Sequence, residues 1–498
     1  MNITELFLTA AKSYPDKPAI ISDNAEISYA QLEAEVQQTA AYFQAKGLKA
    51  GDRVLVFVPM SIDLYRIVLA LFYSGATAVF LDEWVSVERL KVCCRLADCK
   101  AFIGVPKARI FGWFLKDIRR IPLKLALKGK LKTSAPMQDL DEEASALITF
   151  TTGSSGTPKA ADRSHAFLQH QFDALKLEID PKVEDVDMPV LPIVLFMNLG
   201  MGCTSVIAKF NAKKVEQLNG QVIQAQIERH EVNRITASPF FIKRLADSAL
   251  RSRHNYKSVK KVFTGGAPVF PSEAQLYQKA FPNAAINIVY GSTEAEPISS
   301  ISASELAQSP ANLPHGLPVG QPFSKTELRI IDISGEAISV ASENELEQLE
   351  VAEGEIGEII VAGDHVLKSY FQNEAAYKRN KIKTNTKLWH RTGDSGRVVN
   401  SRLYLTGPCK ELIPLDKSYI STFLIEYQLQ QIPGIARGTL LWHQQQKVLL
   451  LETKLREAQL QAALKDLDYD RFKSLGKLPR DPRHNSKIDY AKLRAMLD

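Results

Sequence analysis

The sequence predicts an α/β protein with a small α+β domain at its end, and three observations carry that prediction. Short β-rich runs alternate with helical patterns through the first 330 residues, alternating strands with glycine turns set in from about 316, and the last ninety residues mix strand and helix. Strand and helix alternation makes parallel sheets covered by helices. Alternating strands with glycine turns make an antiparallel sheet or a distorted β-barrel. A large N-terminal domain over 1–408, with its barrel part at about 316–408, and a small C-terminal domain over 409–498 are therefore expected.

In chain order, 52–60 (DRVLVFVPM) reads as an apolar strand, 61–76 as an amphipathic helix closed by Gly75, and 77–82 (TAVFLD) as the next strand. The same unit recurs at 232–239, 241–250 and 259–268. The stretch 107–132 stands apart, with many Lys and Arg against the single acid Asp117, interleaved with Ile, Phe, Trp and Leu. It reads either as an interfacial helix on an anionic membrane, broken at Pro122, or as a solvated helical hairpin packed by its apolar side. Farther on, TELRIIDI, GEIGEIIVAG and SRLYLTG are short strands, KVLLLETK (447–454) is a strand and LREAQLQAALKDL (455–467) a helix.

Hydrophobic content of 45% and charged content of 24% are those of a globular protein and exclude a disordered chain. A net charge of +6 spread over 498 residues gives no reason to expect nucleic acid as a partner. Met1 to Ala11 lacks the basic start, apolar core and cleavage site of a secretory signal, and no uncharged apolar run reaches the roughly 18–20 residues of a membrane span. The five cysteines read as reduced, buried thiols, and Cys93, Cys94 and Cys99 lack a fourth ligand at metal-binding spacing. A cytoplasmic protein is expected, with peripheral contact at the inner face of the membrane left open by 107–132.

Anion-binding chemistry concentrates at 151–159, TTGSSGTPK. Gly153 and Gly156 let the backbone approach a ligand, Thr151, Thr152, Ser154, Ser155 and Thr157 donate, and Lys159 adds a point charge. Thr157 and Pro158 separate Gly156 from Lys159, so this lysine does not open a helix as in the common phosphate loop. A flexible polar hairpin loop is the other reading of the same letters.

Further along, VYGSTEAEP (289–297) brings an aromatic, a glycine, two hydroxyls and a carboxylate to the end of a strand, where α/β sheets bind ligands. Glu294 suits Mg2+ as an oxygen donor, or caps a turn. FTGGAP (263–268) offers a glycine turn for a flat base. In RTGDSG (391–396), Asp394 suits ribose hydroxyls or a turn cap, and in LPRDPRHNSKIDYAKL (478–493) Lys487 stands in a polar turn before a helix, as a functional or a solvated cation.

The order and spacing of these stretches, with ITELFLTAAKSYPDKPAI and ISYAQLEAEV near the start, resemble the acyl-adenylate-forming superfamily of acyl-CoA synthetases, luciferases and peptide-synthetase adenylation domains. The resemblance spans nearly the whole chain. It implies two helix-covered sheets in the N-terminal domain, a mobile C-terminal domain, and ATP and Mg2+ as cofactors. It assigns the loop Thr151 to Lys159 to the β- and γ-phosphates, and Gly266, Ala267 and Pro268 with Tyr290 to the adenine, Gly291 lying beside them in the ATP site. Thr293 becomes the phosphate-contacting threonine, Glu294 the magnesium ligand and Asp394 the ribose ligand. Lys487 becomes the lysine that stabilises the adenylation transition state, and Lys410 the hinge.

Three departures stand out. Lys159 is followed by Ala160 and Ala161 where the family has Gly-Val, and Pro408 follows Gly407 where the family has an arginine on the ribose. In LPIVLFMNLGMG (191–202), Leu195 and Phe196 replace the usual aromatic or histidine, which reads as a greasy acyl pocket or as a core junction.

A narrower resemblance, in SPFFIKRLA, the stretch around VFTGGAPVF, and above all DPRHNSKID with His484 and Asn485 beside Lys487, is to the β-lactone synthetases of bacterial long-chain olefin biosynthesis. It implies activation of a fatty or 3-hydroxy fatty acid as acyl-adenylate, followed by lactone closure. Two alternatives stay open: a fatty acyl ligase using CoA or an acyl-carrier protein, and a non-catalytic nucleotide- or acyl-binding protein associated with membranes.

Overall fold

The computed structural model describes all residues except 24, 82–86, 152–158, 212–215, 417, 466, 481–487 and 498, and the side chains of Thr151 and Ala491. The chain divides into two compact units. One comprises Met1–Ala307, Phe323–Glu327 and Ala362–Arg379, and the other Gln308–Pro322, Leu328–Val361 and Asn380–Asp498.

The first unit is α/β and holds two sheets. One has the strand order Ser369–Tyr370, Lys159–Ser164, Ser145–Thr151, Thr77–Leu81, Arg53–Phe57, Ala101–Gly104, Leu123–Leu125. It is parallel from Ser145–Thr151 onward and antiparallel where Lys159–Ser164 and Ser369–Tyr370 join. The other runs Ala295–Ser302, Ala285–Ser292, Lys261–Gly265, Arg234–Ala237, Val186–Pro189, Thr204–Val206, Pro18–Ser22, Ala25–Ser28, parallel within and antiparallel at both ends.

Between the strands Arg53–Phe57 and Thr77–Leu81 lies the helix Ile62–Tyr73, begun by Ser61, whose hydroxyl accepts from the Leu64 N–H at 3.3 Å. Gly75, at φ +71°, turns the chain out of it. The expectation of an amphipathic helix here is corrected: every residue from Leu64 to Tyr73 is buried. The helix belongs to one core cluster that takes residues from both sheets, Ile20 from one and Val54 and Ala78 from the other, so from Leu64 onward no side of it meets water. Its arginine is tolerated there because Arg66 pairs with Asp63 at 3.0 Å and Glu35 at 3.5 Å. Burying each large aliphatic side chain of such a core contributes about 1.5–3 kcal/mol.

The basic stretch also differs from its expectation. In place of a helix broken at Pro122 or a helical hairpin, it forms two short helices, Pro106–Phe114 and Lys116–Arg119, followed by the edge strand Leu123–Leu125. Pro122, without an N–H, suits the entrance of an edge strand, and the buried Ile121 and Leu125 draw the chain onto the sheet. Among the described residues no helix is long and apolar enough to cross a membrane.

The second unit opens with the β-rich texture predicted from about 316. Its strands follow the order Glu327–Ile331, Gly357–Ala362, Leu388–Val399, Arg402–Pro408, Leu317–Pro322. A hairpin of Leu412–Pro414 and Tyr419–Ser421 follows, then a three-stranded sheet of Ile435–His443, Gln446–Thr453 and Arg471–Leu475. Helices Thr422–Gln430 and Glu457–Ala463 accompany that sheet around Leu440, Leu449, Leu451, Leu460 and Leu464.

All five cysteines are free. Burial pushes the Cys93 thiol up to about 11 and those of Cys94 and Cys99 to about 12.

Candidate functional site

Residues 152–158 of the expected triphosphate loop lie outside the described residues, but both flanks are placed. Thr151 ends one strand, Lys159 begins the next, and the two are partners in an antiparallel ladder. Lys159 therefore stands on a strand. Strand geometry points alternate side chains to the same face, which puts Lys159 and Arg163 on one side. Arg163 is buried and donates to the Thr149 hydroxyl at 2.8 Å and to the Thr293 carbonyl at 3.1 Å, so it ties this hairpin to the turn Thr293–Glu294 of the other sheet.

That turn is tighter than the sequence suggests. The strand Ala285–Ser292 continues through Gly291, and Ser292 already faces Ala295 on the returning strand. Two residues at the tip, Thr293 and Glu294, are thus fixed by the ladders on either side. The Glu294 N–H donates to the Ser292 hydroxyl at 3.2 Å, and its carbonyl accepts from the Leu367 N–H at 2.7 Å. Its carboxylate accepts from the Tyr370 hydroxyl at 3.3 Å.

Tyr370 arrives on the short strand Ser369–Tyr370, which pairs with Ala161 and Asp162, and the next N–H, of Phe371, donates to the Ala160 carbonyl at 2.8 Å. The Lys159 ammonium sits 5.9 Å from the centroid of the Tyr370 ring. Tyr370 thus offers its ring face to the cation and its hydroxyl to the carboxylate. Burial lowers the Lys159 pKa, with Glu294 opposing and Arg379 adding to the fall. Burial and the neighbouring Glu294 carboxylate hold the Tyr370 phenol far above its usual value, so it remains a hydrogen-bond donor.

Gly266 follows the carboxyl end of the strand Lys261–Gly265, at φ +82° and with open space where a Cβ would stand. Gly265 is the position that cannot change, because a Cβ there would come within 2.4 Å of the Val289 carbonyl oxygen. Ala267 and Pro268 continue this turn, partly buried and exposed respectively, while Tyr290 is partly buried on the neighbouring strand. Leu195 is fully buried in the main core, and Phe196 packs edge-on to Tyr65 at 4.9 Å and near Phe72 at 6.0 Å.

In the second unit, Asp394 lies on the strand Leu388–Val399 opposite Pro408, after Gly393 at φ +74°. Its N–H donates to the Thr392 hydroxyl at 3.1 Å, and that hydroxyl donates to the Ile359 carbonyl at 2.8 Å. Neighbouring Arg391 is buried against Glu358 at 2.5 Å. Lys410 is exposed in a single turn, Cys409–Glu411, whose Glu411 pairs with Arg494 at 2.9 Å. Lys487 lies outside the described residues. Arg480 and Ile488 form an isolated bridge, Arg480 is held by Glu452 at 3.1 Å, and Asp489 caps the helix Tyr490–Ala495.

The first unit thus brings together Lys159, Thr293 and Glu294 from opposite sheets, and adds two residues that sequence reasoning missed, Arg163 and Tyr370. Strand alternation from Lys159 could have flagged Arg163. Tyr370, 211 positions beyond Lys159, carries no spacing signal. Among the described residues there is no group of three or more metal-ligating side chains. Mg2+ takes only one or two protein carboxylates and completes its shell with phosphate oxygens and water, and the Glu294 carboxylate is a donor of that kind.

Known proteins share the fold along almost the whole length of the chain. The profile of the AMP-binding enzyme family matches residues 7–371. An olefin beta-lactone synthetase of Xanthomonas campestris pv. campestris is 28% identical over 508 residues, covering 94% of this chain and 90% of that protein. The O-succinylbenzoate coenzyme A synthetase of Bacillus subtilis, solved in complex with AMP, has a TM-score of 0.80 at 20% identity, covering 99% of this chain and 98% of that one. The same synthetase solved with ATP and magnesium ion gives 0.79, also at 20% identity and with the same coverage of 99% and 98%. With most of its length matched by the family and the mixed α/β fold shared end to end, the chain belongs to the AMP-binding enzymes and forms adenylates.

Proposed function

We propose that the chain activates a fatty or 3-hydroxy fatty acid as its acyl-adenylate and then closes that adenylate to a β-lactone. The observation that carries this reading is the likeness to an olefin beta-lactone synthetase sustained over 94% of the chain. In the first step a carboxylate oxygen attacks the α-phosphorus of ATP, and the bond from that phosphorus to the bridging oxygen breaks, releasing pyrophosphate. Residues Thr151 to Lys159 hold the β- and γ-phosphates, and Lys159 supplies charge. Glu294 would hold Mg2+, with Tyr370 fixing its carboxylate; the bound ion neutralises charge on the phosphates. Gly266, Ala267, Pro268 and Tyr290 receive the adenine, with Gly291 beside them, Thr293 contacts the phosphates, and Asp394 takes the ribose.

Lys487 donates to the α-phosphate as negative charge builds there. It is brought in by a domain of 409–498 that turns about Lys410 relative to 1–408. Leu195 and Phe196 form an apolar end to the acyl pocket. In the second step the substrate's own 3-hydroxyl oxygen attacks the acyl carbon, the bond to AMP breaks, and lactone, AMP and a proton result. No thiol is consumed.

The test is pyrophosphate release from ATP and Mg2+ with fatty acids that do or do not carry a 3-hydroxyl, with and without CoA, and products identified by mass. Release with hydroxylated acids, without CoA, and a product one water lighter than the acid is the expected result. A thioester formed with CoA or an acyl-carrier protein would replace the second step, and no release with any of these acids would remove fatty acids as the substrate.

A further inference from the structure

The helix Pro106–Phe114 is built inside out. Its small residues face the protein: Ala108 packs on the cluster of Phe102 and Ile118, and a Cβ on Gly112 would come within 2.8 Å of the Ile118 side chain. Its large apolar residues face solvent, with Ile110, Phe111, Trp113 and Phe114 exposed by 64%, 47%, 71% and 79%. A surface helix ordinarily shows the reverse arrangement, and contiguous exposed apolar side chains mark a surface that something apolar covers.

The charge around this face indicates what that is. Lys107, Arg109, Lys116, Arg119, Arg120 and Lys132 are exposed and, among the described residues, have no carboxylate partner. The one acid of the stretch, Asp117, is already paired with Arg95 at 3.6 Å. Other cations nearby are engaged, Lys128 with Asp63 at 2.8 Å and Lys130 with Glu35 at 2.6 Å. A second copy of this chain would bring cations against cations, so self-association through this face is disfavoured.

We propose that this face docks on an anionic lipid bilayer. Ile110, Trp113 and Phe114 enter the boundary between headgroups and acyl chains, and the unpaired Lys and Arg side chains meet the lipid phosphates. Such docking would hold the enzyme where a long-chain acid dissolves.

The test is flotation of the full chain with vesicles of phosphatidylcholine alone or mixed with phosphatidylglycerol, at low and high salt. The wild type should float about tenfold more with the anionic vesicles, and lose that preference at high salt. The double variant Trp113→Ser, Phe114→Ser should stay at the bottom while keeping the circular dichroism and melting of the wild type, since both side chains are exposed. No flotation of the wild type on anionic vesicles, or equal flotation of the double variant, would overturn the proposal. So would a light-scattering mass showing a dimer, or a complex with an acidic protein, that the double variant abolishes. Flotation is read without ATP, acid or turnover, so its outcome is separate from the chemistry.

Discussion

A neutral phenol beside a carboxylate donates to it, and Tyr370 meets Glu294 in that role. A hydrogen bond to a charged group contributes about 1.5–3 kcal/mol, which is roughly tenfold or more in affinity. Tyr370→Phe should therefore raise the Mg2+ concentration for half-maximal pyrophosphate release about tenfold. An unchanged Mg2+ dependence would reduce the contact to packing. Lys487→Ala should abolish adenylation while the melting curve stays that of the wild type, and retained activity would remove Lys487 from the chemistry. At this scale the sequence discloses residues whose chemistry is local. Lys159 and Glu294 stand out as candidates because glycines, hydroxyls and a strand end surround them in the chain. Arg163 and Tyr370 act through partners 130 and 76 positions away, and nothing in their own neighbourhoods points there.

Elements are legible where one periodicity dominates and obscured where an ion pair imitates a polar face. The strand, helix and strand from Arg53 to Leu81 are legible in their pattern, but Asp63 and Arg66 make a helix buried from Leu64 to Tyr73 look amphipathic, because their mutual pairing is a contact and not a pattern. The same device recurs beside the proposed acyl pocket. Arg234, on the strand Arg234–Ala237, reaches Asp185 at 2.5 Å, Asp187 at 3.4 Å and Asn198, on the helix that carries Leu195 and Phe196, at 2.5 Å. Removing one partner from a buried pair costs about 3–5 kcal/mol, more than the charge pair itself gains. Arg234→Leu should destabilise the first unit in urea by that amount, and a loss below about 1 kcal/mol would show that water had taken the arginine's place. Pro408 is an element-scale question too. It stands opposite Asp394 and ends its strand, so Pro408→Arg, which supplies the family's guanidinium, should lower the KM for ATP. No change would mean that the ribose is held without it.

For the molecule as a whole, the change of texture near 316 was readable because glycine turns and period-two strands replace helical patterns there. The division into units is less readable, since Phe323–Glu327 and Ala362–Arg379 return to the first unit on the strength of long-range contacts alone. Stability should also depend on pH through the second unit. Glu426 is hydrogen-bonded to the Thr439 hydroxyl at 3.0 Å and to Tyr490, and burial raises its carboxyl from 4.5 to about 7. The folded form thus holds a proton that the unfolded chain releases above about 4.5, so the stability it supports is full below that pH and is lost as pH rises through about 7. Unfolding of the second unit in urea should be easier at pH 8 than at pH 5 by about 1–3 kcal/mol, and Glu426→Gln should flatten the difference. A slope that persists in the variant would place the titrating group elsewhere.

The burial of the thiols reaches beyond stability. Cys93, Cys94, Cys99 and Cys203 are enclosed, and Cys409 is half-enclosed with its thiol held high by burial and then by Glu358 and Asp394. Thiolates, not thiols, react, so the native protein should take up little maleimide at neutral pH. A cysteine set at exposed Lys492 would then be labelled alone. The wild-type background comes ready for a fluorophore on the tail, and any swing of that tail between the two half-reactions becomes an optical signal that needs no cysteine-free variant.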